Sequence, residues 1–196
     1  MDTIPPPASD AARRPPAPGR LDLLRTFVNT VDLESGVDQF ATPEQVAAWL
    51  IERGLLPREA TLSAVERATA IAFREAVRDV LEGNAGHGDA SSALARLDMI
   101  AAGVPLRIRL ADRPQLEPQG EAGLDLALGR FLAIIYEAVT QGTWPRLKVC
   151  RDDTCRWAFY DSSRNRSGIW CTMAICGNRT KGRVFRRRQA ADGAAS

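Results

Sequence analysis

Apolar side chains recur at helical spacing from position 21 onward. Leu21, Leu24, Phe27, Val28 and Val31 share one face and predict a helix over 21–33. A second helix has a sharper start, because Thr42 can cap, Pro43 suits the first helical position and Gln45 completes a capping box. Its inward residues are Val46, Trp49 and Leu50, and Gly54 stops it. Thr61 opens a longer segment with Leu62, Val65, Ala68, Ala72, Phe73, Ala76, Val77 and Leu81 at spacings of three and four. A glycine-rich loop over 83–89 leads to a short helix, capped by Ser91 or Ser92, that carries Leu94, Leu97 and Ile100.

The period then changes. Leu106, Ile108 and Leu110 alternate with Arg107 and Arg109, which predicts a two-stranded element over 104–117, and 124–139 returns to an amphipathic helix. Further on, Trp157, Phe159 and Asp161 alternate with Ala158 and Tyr160 as a strand would. Polar residues 162–167 make a turn, Ile169 and Trp170 begin the return, and 173–188 suits a helix packed by Val184 and Phe185. No internal repeat is evident.

Residues up to Gly19 hold six of the twelve prolines and almost no large apolar side chains, so 1–20 is expected to be a disordered leader. The rest divides into a helical domain over 21–145, a module over 146–188 and a disordered tail over 189–196. The 196-residue chain has room for one ordinary domain plus such a module, and no apolar run approaches a bilayer span. The expectation is a soluble, cytoplasmic protein without membrane contact.

The net charge of +2 conceals an asymmetry. From 146 to 188 there are twelve Lys or Arg against three acidic residues, a balance of +9, while the remainder stands at −7. Such a split points to an anionic partner, nucleic acid ahead of a membrane surface.

The candidate chemistry sits in the same module. Cys150, Cys155, Cys171 and Cys176 form two C-x4-C pairs separated by fifteen residues, and they are the four cysteines of the chain. Four thiolates close a tetrahedral shell around one Zn²⁺ and leave no position open for water, so the site is expected to be structural. Two other readings stand beside zinc. Disulfides belong to oxidising compartments, and no basic cluster followed by an apolar run marks a signal peptide. Redox dithiols favour C-x-x-C spacing, while an iron-sulfur cluster also takes thiolates. The expected fold is α+β and mainly helical: a helical N-terminal domain with a small β element, then a treble-clef-like four-cysteine finger of β-hairpin plus basic helix.

Cys176, Gly177, Asn178 and Arg179 spell CGNR, and their setting resembles the bacterial CGNR zinc-finger family. The run from Cys155 through the 162–167 turn, then Trp170, Cys171 and Lys181, follows that family's order of cysteine, aromatic strand, Asp, Ser-Arg-Asn turn, Trp-Cys and basic helix. Gly168 and Ile169 stand where the family favours arginines. Upstream the chain resembles the ABATE domain that usually precedes this finger, through Val28, Asn29 and Thr30, through 43–50 and through 73–78. The resemblance implies a stress-responsive bacterial transcription regulator with DNA binding assigned to the basic finger.

Each cation of the module has a bland and a functional reading. Arg151, Arg156, Arg179 and Lys181 lie close to ligands and can neutralise the metal site, whose formal charge is −2. Arg183, Arg186, Arg187 and Arg188 lie farther along the helix and are expected to be free of the metal, and Arg164 and Arg166 flank Asn165 in the turn, placed to straddle a phosphate. The expected nucleic-acid contacts are therefore Arg164, Arg166, Arg179, Lys181, Arg183, Arg186, Arg187 and Arg188. Trp157, Phe159, Tyr160 and Trp170 are expected to pack rather than stack on bases, and Asn178 to cap the helix. In the N-terminal domain, Asn29, Arg74 and Arg78 suggest either an anion site or, preferably, solvated residues and ion pairs with Glu75 or Asp79.

An enzyme is not expected. His87 is the one histidine and lies in the glycine-rich loop as a solvated residue, and no phosphate-cradling glycine loop occurs. The expected function is a regulator that binds nucleic acid, with duplex DNA the leading candidate. Its N-terminal domain would sense a small molecule or mediate assembly, including a homodimer. The alternative is a zinc-dependent protein-interaction module.

Overall fold

Phe27 sits among four other aromatic rings, those of Phe40, Trp49, Phe73 and Phe131, with centroids 4.4 to 6.0 Å away. The cluster marks where helices α1 (Leu21–Val28), α2 (Pro43–Glu52), α3 (Ala64–Asn84) and, after α4 (Ser91–Ala102), α5 (Leu124–Thr140) converge. The computed structural model describes residues 15–193 apart from Asp89, Ala111 and Glu121. The predicted leader up to position 14, positions 194–196, and the side chains of Val184, Arg187, Arg188 and 190–193 lie outside the described residues.

The predicted helices are present, with corrections at their ends. α2 has its capping box, Thr42 with Gln45, and Gly54 leaves it at φ +66°. α3 starts later than Thr61 suggested, because Ser63 and Glu66 form a second capping box. The Glu66 carboxylate also accepts from the Leu124 backbone N–H at 3.2 Å, so one anion serves the start of two helices. The buried line of α3 runs through Ala70, Phe73, Ala76, Val77, Val80 and Leu81 together with Arg74 and Arg78, while Val65 points to solvent. α4 has Ala90 at its cap position rather than a serine, and Leu94 faces outward. α1 stops at Val28 rather than 33, since Asn29 and Thr30 leave the helix for other partners and Val31–Asp32 (β1) pairs with Val37–Asp38 (β2). Ala17, placed in the expected leader, packs into the core.

Strands β3 (Leu106–Arg109) and β4 (Gln115–Pro118) form the predicted two-stranded element, with Leu106 opposite Pro118 and Ile108 opposite Leu116. The hairpin lies on α5 at Gly129, where an added Cβ would come within 2.9 Å of Pro118. Away from that contact, Ile108 and Leu110 are exposed.

Strand β5 (Leu147–Val149) was not predicted, because three residues are too few to show an alternation. It pairs with β6 (Ala158–Tyr160), Val149 opposite Ala158. One side of this hairpin, Leu147, Val149 and Ala158, belongs to the main core; on the other, Phe159 joins Trp157 and the four cysteines in a second cluster, against which Trp170 packs. The boundary expected at 145/146 therefore runs through continuous packing. A π-helical turn over Met173–Gly177 leads into α6 (Asn178–Gly193), which carries the helix past the expected tail start at 189. Phe185, expected to pack, is 60% exposed. Among the described residues no helix is long and apolar enough to cross a membrane.

Candidate metal centre

The C-terminal end of β5 delivers Cys150, and a tight turn through Asp152 brings Cys155 back beside it, with the Cys155 and Arg156 backbone N–H groups donating to the Asp152 carbonyl at 2.8 and 3.0 Å. Opposite, the π turn places Cys171 and Cys176 side by side. All four sulfurs are buried, unbridged and within 4.8 Å of one another. The Cys155–Cys171 and Cys171–Cys176 separations are 3.7 and 3.5 Å. Zn–S bonds of about 2.3 Å in a tetrahedron hold sulfurs about 3.8 Å apart, so the donor set fits the ion. The four cysteines are arranged to bind one zinc ion, and the open alternatives of the sequence resolve in its favour.

Electrostatics agree. Hydrogen bonds from Cys155 and Cys171 push the Cys150 thiol down to about 4, and the Cys155 and Cys171 thiols are pushed up by the same contacts. Packed thiols of this kind release their protons to a divalent cation. Backbone hydrogen bonds from Cys171 and Asp152 to Cys150, and from Trp157 to Cys155, supply the donors that thiolate sulfur needs.

The CGNR residues each have a mechanical part. Cys176 is a ligand. Gly177 leaves room where Met173 and Trp170 close over it, since a Cβ there would lie 2.3 Å from Met173 Sδ and 3.3 Å from Trp170 Cδ1. Asn178 does not cap the helix; its Nδ2 donates back to the Ala174 carbonyl at 3.2 Å, tying α6 to the π turn. Arg179 donates to Cys176 Sγ at 3.4 Å, grips Glu34 with two nitrogens at 2.7 and 3.1 Å, and stands 3.0 Å from Asp152. Its guanidinium pKa is raised, first by Glu34 and then by Cys176.

Arg183 also departs from expectation. Its position along the helix predicts a side chain free of the metal site, yet it pairs with Asp152 at 2.9 Å, and Asp152 is fully buried between two ligands. One carboxylate thus fastens α6 to the first knuckle. The 162–167 turn is pinned similarly. Lys148, buried, donates to Asp161 at 3.0 Å and to the Arg166 carbonyl at 2.6 Å, and Asp161 accepts from the Gly168 N–H at 2.7 Å. Burial pushes the Asp161 carboxyl up, but the hydrogen bonds from Ser163, Lys148 and Gly168 outweigh it and hold the carboxyl well below its usual range.

Behind the finger lies a joint that the sequence did not reveal. Asn29 acts as an extra strand residue for β6, donating to the Ala158 carbonyl at 2.9 Å and accepting its N–H at 2.8 Å. Arg78, fully buried on α3, reaches the Arg156 carbonyl at 2.9 Å, the Val28 carbonyl and Glu75. Arg156, read as a neutraliser of the metal, pairs instead with Asp79 at 2.6 Å and Glu82 at 2.7 Å on α3. Arg74 pairs with Asp38 and Glu75 and donates to Thr30 Oγ1 at 3.1 Å. Arg74 and Arg78 are thus neither an anion site nor solvated; they are buried in ion pairs. His87 is only half-exposed, its Nε2 enclosed without a hydrogen-bond partner among the described residues.

Of the expected nucleic-acid contacts, Arg164, Arg166, Lys181 and Arg186 are exposed, Arg179 and Arg183 are engaged as above, and the side chains of Arg187 and Arg188 lie outside the described residues. Trp157 and Phe159 are buried, as packing requires, and Tyr160 and Trp170 are partly so. Two carboxylates between ligand cysteines, Asp152 and Asp153, were the sequence signal, and nothing local distinguishes the buried Asp152 from the exposed Asp153. Glu34 and Asp38, far away in the chain, left none.

Fold and site define a mainly helical α+β protein that closes on a four-cysteine zinc finger. The family model for the CGNR zinc finger matches residues 146–189, and ABATE, described as "Putative stress-induced transcription regulator", matches residues 21–142. The chain belongs to the ABATE family and carries the CGNR finger at its C-terminal side. A search of curated proteins gave no match. Two of the three segments through which the sequence resembles ABATE, 28–30 and 73–78, contribute to the joint, while 43–50 lies in α2.

Proposed function

We propose that this chain is a transcription regulator whose finger binds duplex DNA, with the N-terminal domain sensing a small molecule, and that it acts by binding rather than by catalysis. The observation that supports the reading is a division of labour among the finger's cations. Lys148, Arg156, Arg179 and Arg183 have carboxylate partners. Arg151, Arg164, Arg166, Lys181 and Arg186 are exposed and, among the described residues, without one. Cations left free by a structure that pairs so many others suit a polyanion. The zinc cluster, Asp152 and the Lys148–Asp161 pair hold helix and turn in place, so the contacts are preorganised and the phosphate backbone takes most of them.

If about five phosphates are neutralised, log K for the full chain on duplex DNA falls against log salt with a slope near −4.5. The double variant Arg164→Ala/Arg166→Ala lowers that slope by roughly 2 without a change in melting temperature. A salt-independent or absent interaction at low ionic strength refutes the reading.

One observation favours a second reading. Met173, Ile175 and Phe185 are 50%, 45% and 60% exposed on the π turn and α6, an apolar offering suited to a protein partner. Under that reading Phe185→Ser abolishes complex formation and leaves DNA affinity unchanged.

A further inference from the structure

The β3–β4 hairpin touches α5 at Gly129 and then diverges from it. Pro118 sits on Gly129, while Leu116, two residues back on the same face of β4, stands off the helix at Ala133 and Tyr136. The divergence opens a groove of about 680 Å³, within the range that holds small molecules. A smaller recess of about 160 Å³ continues it, sharing Arg20, Glu137 and Gln141 and reaching Thr143 at the start of the link into the finger.

Most arginines of the domain are engaged. Arg25, Arg53, Arg74, Arg78, Arg96, Arg107 and Arg109 all have carboxylate partners, and Arg67 and Arg130 donate to the carbonyls of Phe40 and Gly54. Arg58 is exposed without a carboxylate partner among the described residues, but it does not line the groove. Arg20, just before α1, and Arg113, between β3 and β4, line the same groove and have no carboxylate partner among the described residues. Glu137, also in the groove, is bonded to Gln141 at 2.9 Å and leaves both guanidinium groups unmatched. Two unmatched cations over a floor of Leu116, Ala133 and the Tyr136 ring describe a complement to a molecule that is apolar at one end and anionic at the other.

We propose that this groove binds a small organic acid, its apolar body against Leu116, Ala133 and Tyr136 and its carboxylate between Arg20 and Arg113. The proposal deepens the reading of the N-terminal domain as a sensor and rests on it. The route to the finger is short: α5 ends at Thr140, Thr143 donates its N–H to the Ala138 carbonyl at 2.9 Å, and the turn Trp144–Arg146 enters β5 directly. A ligand wedged between hairpin and α5 bears on the helix that delivers the chain to the first knuckle.

The test is a titration of the full, zinc-loaded chain followed by amide NMR, with 2-naphthoate as probe, 2-naphthalenemethanol as its neutral analogue and sulfate as a plain anion. The expected result is saturable binding of 2-naphthoate with shifts centred on Gln115, Leu116, Tyr136 and Gln141. The alcohol binds at least about 10-fold more weakly, sulfate does not displace the acid at equal concentration, and Arg20→Ala/Arg113→Ala weakens binding about 10-fold or more. Both arginines are exposed, so the double variant keeps its fold. Absence of saturable binding, equal binding of the alcohol, displacement by sulfate, or an undiminished double variant each overturns the proposal. The readout does not involve DNA, so its failure and a failure of DNA binding are separately visible.

Discussion

The two sides of the β5–β6 hairpin are held by different chemistry. Toward the helices, Leu147, Val149 and Ala158 are packed in carbon, continuous with the aromatic cluster around Phe27. Toward α6, Phe159 and Trp157 lie against four sulfurs that stay together only if a cation neutralises them. α6 packs chiefly on the π turn that begins two residues after Cys171 and carries Cys176, and Asp152 is its main tie to the first knuckle. The hairpin is therefore the last element of the N-terminal domain as much as the first of the finger. The difference teaches that metal decides where the cationic helix points, whereas the platform beneath it is settled by apolar burial and the Asn29–Arg78 joint.

Removing the metal breaks the comparison hardest. Zinc contributes about 10–16 kcal/mol of apparent binding energy in small finger peptides, far more than the few side-chain contacts of α6 supply. Chelation of the full chain, or Cys176→Ser, is expected to abolish the helical signal of α6 in circular dichroism while the main thermal transition survives. A wholly unfolded chain would show that the platform also depends on the ion.

Next in size is the joint. Arg78→Met strips Glu75 and two backbone carbonyls of a buried partner and is expected to cost about 3–5 kcal/mol, seen as a lower urea midpoint. Because hairpin and helices share a core, the loss falls on one cooperative transition. Two separated transitions in the wild type would contradict that continuity.

Lys148→Met sharpens the picture on the other face, with an expected loss of about 3 kcal/mol from stranding Asp161. The Asp161 carboxyl is depressed in the folded chain, so its contribution is present above the ordinary carboxylate value near pH 4 and lost as pH falls through the folded value. The Gly168 amide shift, which reports the hydrogen bond to Asp161, is expected to hold well below pH 4 in the wild type and to titrate at higher pH in the variant. Identical titrations would remove Lys148 from the account.

The smallest effect is expected at Glu34→Gln. The Arg179–Glu34 pair is partly exposed and bridges the β1–β2 turn to α6, so its loss costs about 1 kcal/mol or less in melting experiments. A larger drop would mean that the N-terminal domain, and not the metal alone, orients α6.

What the sequence made legible follows from range. The thiolate spacing, the Thr42 capping box and the helical faces of 43–50 and 124–139 are local, and the structure has them all. The role of Arg183 is not legible in the sequence, because distance along a helix from the ligands says nothing of a buried carboxylate folded beneath it. Arg74 and Arg78 look like surface residues until Asp38, Thr30 and the Arg156 carbonyl are brought to them by the fold. Asn29 was visible as part of a family-like string, but its pairing with Ala158 spans 129 positions and leaves no local trace.

The central claim is that the hairpin is anchored by the N-terminal core and the basic helix by zinc. Native-state hydrogen exchange on the full chain, with metal and after its removal, tests it directly. The expected result is that β5 and β6 amides keep their protection without metal while those of 171–186 lose it. Loss of protection in the hairpin together with α6, or retention in both, would contradict the claim.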